Sequence, residues 1–135
     1  MAYPITDIRG IGADAAAILK SEGIRTTVAL LRSAKTPKQR IRIAEKLGED
    51  EKHVLDWVTA ADRMRVRGVG WEYSELLRVA GVKTANELKF RNPQNLVDKM
   101  TEANSKRKLV RLLPSVNTVK RWIESAKKLP AVVRY

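Results

Sequence analysis

Apolar side chains recur every three or four residues along most of the chain, and nowhere do they alternate with polar ones over a strand-length window. This spacing predicts helices and no β-sheet. The first helix is expected from about Ala13 to Glu22, with Ala16, Ala17 and Leu19 facing inward. We therefore expect an all-α fold.

Polar residues that favour the first position of a helix precede each of the next three apolar stretches; they are Thr26, Thr36 and Asp50. The helix after Thr36 is predicted to bury Ile41, Ala44 and Leu47 and to end at Gly48. The helix after Asp50 is expected to be the longest and to reach about Met64.

The chain repeats itself at a distance of 58 residues, where Gly10-Ile11-Gly12 falls on Gly68-Val69-Gly70. Farther along, Trp57 matches Trp122 at a distance of 65 residues, so the second copy holds extra residues, which we place in 105–114. This predicts two repeats, 1–62 and 63–129, and a tail, 130–135. The repeats are expected to pack as one pseudo-symmetric unit of about eight to ten short helices.

Two glycines one residue apart let the chain reverse tightly between helices, because glycine tolerates positive φ. Ile11 and Val69 are expected to point into the core and to fix each turn. The N–H groups at the following helix start then face outward, where they and the helix dipole favour an oxyanion. Asp14 and Glu72 lie in these first turns, where they stabilise the helix themselves and repel a phosphate.

The segments IRGIGADAAAIL and VRGVGWEYSELL resemble the helix-hairpin-helix motif, with Ala16 and Ser74 at its small position. Together with the following Gly-Ile-Arg-Thr and Gly-Val-Lys-Thr, they are similar to the N-terminal domain of archaeal and eukaryotic recombinases. They are also similar to the C-terminal domain of the bacterial RNA polymerase alpha subunit. Over its whole length the chain resembles an uncharacterised bacterial family of unknown function with two such motifs.

This resemblance implies that the hairpin amides bind the DNA backbone independently of base sequence. Carried over residue by residue, the contacts in the first copy are Arg9, Gly10, Ile11 and Gly12. Those in the second copy are Arg67, Gly68, Val69 and Gly70, and Arg63 and Arg65 upstream are expected to add charge. The alternative is that both hairpins are only compact connections between helices.

The charge points to the same class of partner. The net charge is +12, and residues 66–135 carry 15 basic and six acidic side chains, a net of +9. Such asymmetry suggests a polyanion, most often nucleic acid. The most basic stretch adds Lys106, Arg107 and Lys108 to the candidate DNA contacts, whereas the alternative interpretation is merely solvated charge.

The sequence contains no set of residues typical of catalysis. It has no cysteine and a single histidine, so we expect no enzyme, metal, cofactor or small-molecule substrate. No apolar run is long enough for a membrane span, and the start lacks a signal peptide, so we expect a cytoplasmic protein. An alternative function is a protein-interaction or scaffold module that keeps the fold without DNA binding. In that case Trp71 anchors the partner, unless it folds back onto the core.

Overall fold

The computed structural model describes residues 2–135, and within them the fold consists of helices joined by short loops. The helices are α1 (Ala13–Ser21), α2 (Thr27–Ser33), α3 (Pro37–Leu47), α4 (Glu51–Arg63), α5 (Trp71–Val79), α6 (Ala85–Leu88), α7 (Pro93–Arg107) and α8 (Val116–Lys127). A short 3-10 helix, Ile5–Asp7, precedes them. No strand forms among these residues, so the all-α prediction is confirmed.

Six of the eight helices begin at a polar side chain that accepts a hydrogen bond from a backbone N–H of the first turn. These residues are Thr26, Thr36, Asp50, Thr84, Asn92 and Ser115. The three predicted among them in the first half are confirmed. The exceptions are α1 and α5, which begin at Gly12 and Gly70 without a side-chain cap.

The core consists of two hydrophobic clusters, one formed within residues 5–64 and the other within residues 66–126. In the first, α4 packs against α2 and α3; in the second, α8 packs against α6 and α7. Trp57 on α4 and Trp122 on α8 occupy matching places and are both buried. Contacts between α4 and α5 join the two halves.

The predicted inward face of α3 is wrong at one position. Ile41 is 47% exposed, whereas Arg40, one residue earlier, is buried. Its guanidinium donates from Nη1 to the carbonyls of Ala34 (3.1 Å) and Lys35 (2.8 Å), and these bonds satisfy much of the buried cation. Ala17 on α1, also predicted to face inward, is exposed.

The C-terminal tail crosses from the second half back to the first. Val132 and Val133 pack against the first cluster, and the Arg134 N–H donates to the Lys35 carbonyl at 2.8 Å. Arg40 Nη2 in turn donates to the Arg134 carbonyl at 2.6 Å. The tail therefore ties the two halves together.

Candidate nucleic-acid interface

The two Gly-apolar-Gly segments form equivalent tight turns. Ile11 and Val69 are both buried, as predicted. Their N–H groups donate to the carbonyls three residues earlier, those of Ile8 and Val66, at 3.0 Å each. Each turn is thereby fixed on the core and leads directly into a helix.

The first glycine of each turn lies against a tryptophan. A Cβ at Gly10 would stand 2.9 Å from Trp57 Nε1, and one at Gly68 would stand 3.3 Å from Trp122 Nε1. Gly68 has φ +90°, but Gly10 is not among the residues with positive φ. The expected positive φ therefore applies only to the second turn, and both turns need glycine because the indole approaches the backbone.

The starts of α1 and α5 leave their amides available to a ligand. The first backbone bonds that close these helices are Ala16 N–H to the Gly12 carbonyl and Ser74 N–H to the Gly70 carbonyl, both at 2.9 Å. The N–H groups before Ala16 and Ser74 have no carbonyl partner within their helices. Because neither glycine supplies a cap, these donors favour an anion.

The acidic residues in the first turns of α5 and α1, Glu72 and Asp14, differ in whether they form an ion pair. Glu72 accepts from Arg9 Nη2 at 3.4 Å, so an arginine of the first turn partly neutralises the carboxylate at the start of α5. Asp14 is exposed and forms no ion pair within residues 2–135. Arg9, Gly68 and Gly70 line one shallow depression of about 540 Å³ together with the carboxylates Asp7 and Glu72, so the two turns lie side by side.

A basic groove of about 830 Å³ runs between the second turn and α8. Its charged residues are Arg67, Lys120, Arg121, Lys128 and one acid, Glu124. Glu124 accepts from Lys127 Nζ at 2.9 Å, whereas the four basic residues form no ion pair in the described part of the chain. Tyr73 and Trp122, whose ring centroids are 5.2 Å apart, lie beneath this basic rim.

The equivalent groove beside the first turn lacks the basic excess of the second. It measures about 570 Å³ and is lined by Gly10 and Trp57, together with three carboxylates and two arginines, which are Glu49, Asp56, Glu75, Arg63 and Arg78. By the repeat spacing, Asp56 stands where α8 has Arg121. His53 in the same groove hydrogen-bonds Glu49 at 2.7 Å, and this bond raises the pKa of its imidazole.

Arg63 is removed from the predicted DNA contacts because it is buried. Its Nε donates to the Ser74 carbonyl (2.9 Å) and hydroxyl (3.0 Å), and Nη1 donates to the Lys83 carbonyl (2.9 Å). Burial lowers the pKa of this guanidinium to about 10, with Glu75 acting in the opposite direction. Arg63 thus joins α4 to α5 and adds no exposed charge.

Two further candidates also have structural partners. Arg65 lies mostly buried, 2.7 Å from Asp62 Oδ1, and donates to the Pro130 carbonyl at 2.9 Å. Its charge is therefore engaged within the fold, where the side chain pairs with Asp62 and holds the start of the tail. Trp71 is half-buried and packs on the first cluster, which agrees with the lid interpretation and not with an exposed anchor.

The basic segment at the end of α7 reaches the start of α5, where Lys108 and Glu72 line the same depression. Lys106, Arg107 and Lys108 are exposed, and Lys106 Nζ lies 3.4 Å from Glu102 Oε1. The loop that follows is held against α5, since Tyr73 Oη donates to the Leu112 carbonyl at 3.0 Å. Tyr73 was missed from the sequence, because nothing there indicated that the extra residues of the second repeat reach α5.

Among residues 2–135, no helix combines the length and apolar character that a membrane crossing requires. The same part of the chain contains no group of three or more histidine, aspartate or glutamate side chains that could hold a metal ion. A family model described as "Domain of unknown function (DUF4332)" matches residues 9–129. No curated protein and no solved structure matches the chain.

Proposed function

This chain belongs to the DUF4332 family of domains of unknown function, and we propose that it binds the DNA backbone independently of sequence and without catalysis. We infer further that its halves are two helix-hairpin-helix repeats packed as one pseudo-symmetric unit. Three matched features support this arrangement: the buried apolar residue of each turn, the glycine start of α1 and α5, and the tryptophan against each turn.

The observation that carries the proposal is the basic groove beside the second turn. Gly68 of the second turn and the side chains of Arg67, Lys120, Arg121 and Lys128 line it, and the unpaired N–H groups at the start of α5 follow directly after this turn. Donors and cations converging at one turn suit a run of phosphates, and base edges need not be read. Lys106, Arg107 and Lys108 extend the positive surface on the side of α7.

The first turn contributes differently to the proposed interface. Arg9 offsets the charge of Glu72, the carboxylate nearest the second turn's amides. The first turn's own amides lie beside exposed Asp14, and Gly10 of this turn lines the groove that holds Asp56. We therefore assign phosphate binding to Gly68, Val69 and Gly70, and a supporting role to the segment Arg9 to Gly12.

A protein-interaction module remains the second candidate. Trp71 is half-buried, so it no longer supplies the anchor, but Phe90 is 77% exposed. Aromatic side chains are frequent among the residues that carry most of the binding energy of protein interfaces. Substituting Phe90 by alanine should abolish capture of such a partner and leave DNA binding unchanged.

Fluorescence anisotropy with a labelled random-sequence duplex tests the DNA proposal. We expect a Kd on the order of 10⁻⁴–10⁻⁶ M that weakens steeply with salt. The double variant Arg67→Glu with Lys120→Glu should bind at least about tenfold more weakly and show a smaller salt slope, since each lost phosphate contact removes about 0.9 from it.

The matched control is Lys38→Glu with Arg42→Glu, which changes the net charge equally on the exposed side of α3. If binding follows the groove, this control should retain most of the affinity. Equal losses in the two double variants would mean that total charge alone drives binding. No binding at low salt and tens of micromolar protein would refute the proposed function.

A further inference from the structure

We propose that Leu112 is an apolar wedge that enters between base pairs of the bound duplex, so that the protein prefers DNA whose stacking is already weakened. This inference rests on the proposed backbone binding and names a substrate class for it. Base-step insertion by an apolar side chain unstacks the duplex and bends it.

Leu112 is the outward residue of an otherwise inward apolar segment. Its side chain is 76% exposed, whereas Val110 and Pro114 are buried and Leu113 is half-buried. The chain bends at Arg111 and Leu112, within the loop between α7 and α8. An isolated apolar side chain of this kind gains free energy when a partner removes it from water.

The loop that presents Leu112 is fixed by hydrogen bonds on both sides. The Asn104 side chain accepts from the Val110 N–H at 3.0 Å and donates to the Val110 carbonyl at 3.2 Å. Tyr73 Oη donates to the carbonyl of Leu112 itself at 3.0 Å. A preorganised loop loses little conformational entropy on binding, which an inserting side chain requires.

The surroundings of Leu112 match a wedge on DNA better than an apolar protein contact. Exposed Lys108 and Arg111 line, with Glu72, a depression of about 520 Å³ beside the start of α5. Tyr73, a residue of that helix, donates from its hydroxyl to the Leu112 carbonyl at 3.0 Å, so this loop lies against α5. Phosphates held by the second turn and by these cations would bring a base step to Leu112.

The first repeat has no counterpart to this loop, because the extra residues of the second repeat lie at 105–114. The loop that carries Leu112 therefore belongs to the same repeat as the basic groove and the turn in which φ is positive. Unstacking costs less at a mismatch than in a fully paired duplex, so an inserted leucine should favour mismatched DNA.

Anisotropy titrations with a fully paired duplex and with the same duplex carrying one central mismatch test the wedge. We expect the wild-type protein to bind the mismatched duplex about tenfold more tightly. Leu112→Ala should reduce this preference to less than about twofold and change the affinity for paired DNA little, whereas Leu112→Phe should retain the preference. A 2-aminopurine beside the mismatch should brighten with wild-type protein and not with Leu112→Ala.

Phe90→Ala is the matched control, since Phe90 is 77% exposed and lies outside the basic groove. It should keep the full preference for the mismatch. An equal preference in wild type and Leu112→Ala, or no preference in the wild type, would overturn the wedge while leaving backbone binding intact. Failure of the wild type to bind either duplex would instead refute the proposed function.

Discussion

Gly68→Ala should destabilise the protein by about 3 kcal/mol. A side chain at φ +90° costs roughly 1–2 kcal/mol. The new Cβ, 3.3 Å from Trp122 Nε1, crowds a buried indole, and overpacking of this kind costs about 1–3 kcal/mol. The less flexible unfolded chain offsets about 0.4–1 kcal/mol. Urea denaturation followed by tryptophan fluorescence measures the net change in unfolding free energy.

Gly70→Ala makes the same chemical change two residues later and serves as the control. Gly70 has φ −91°, which alanine adopts, and its Cβ would lie 4.0 Å from the Tyr3 ring, an ordinary contact. We expect a change within about 0.5 kcal/mol, because the loss at the helix cap and the stiffer unfolded chain nearly cancel. Equal destabilisation by the two variants would refute the assignment of the cost to φ and to Trp122.

Three further predictions concern Trp71, His53 and the tail. Trp71→Ala should lower the unfolding free energy by about 2–3 kcal/mol in urea denaturation and leave DNA affinity within twofold, because Trp71 packs on the first cluster. In an NMR titration, the His53 imidazole should show a pKa above 6.5, and Glu49→Gln should lower this pKa again. The interaction between His53 and Glu49 should stabilise the fold fully below pH 6.5, and this stabilisation should be lost as the pH rises through the raised pKa. Deleting 131–135 should cost about 2 kcal/mol or more in the same denaturation assay, because Arg40 Nη2 loses its acceptor.

The helices were predictable because the information that sets them is local. Thr26, Thr36 and Asp50 cap the helices that follow them, and Ile11 and Val69 turn inward as the spacing predicts. Each of these outcomes depends on a few neighbouring residues and on the period of apolar positions.

Whether each arginine is buried or exposed was not predictable from the sequence, because it depends on residues far along the chain. Arg40 and Arg65 donate to carbonyls of the C-terminal tail, and Arg63 donates to a carbonyl 20 residues later. A buried arginine and an exposed one look alike in sequence. The acceptors that the fold brings to each guanidinium, most of them backbone carbonyls, decide which it becomes.

The duplication predicts two equivalent turns, but the side chains around them make the turns unequal. Each turn lies against a tryptophan of a long helix, so the scaffold is the same in both halves. The first faces Asp56, and the second faces Arg121 at the matching position. A phosphate is repelled by the Asp56 carboxylate and attracted by the Arg121 guanidinium. The difference in charge at this one position of a shared scaffold would therefore restrict anion binding to the second turn.

Exchanging these two residues, Asp56→Arg with Arg121→Asp, leaves the net charge unchanged. We expect the exchange to weaken DNA binding by at least about fivefold, whereas unchanged anisotropy titrations would contradict the assignment of the second turn.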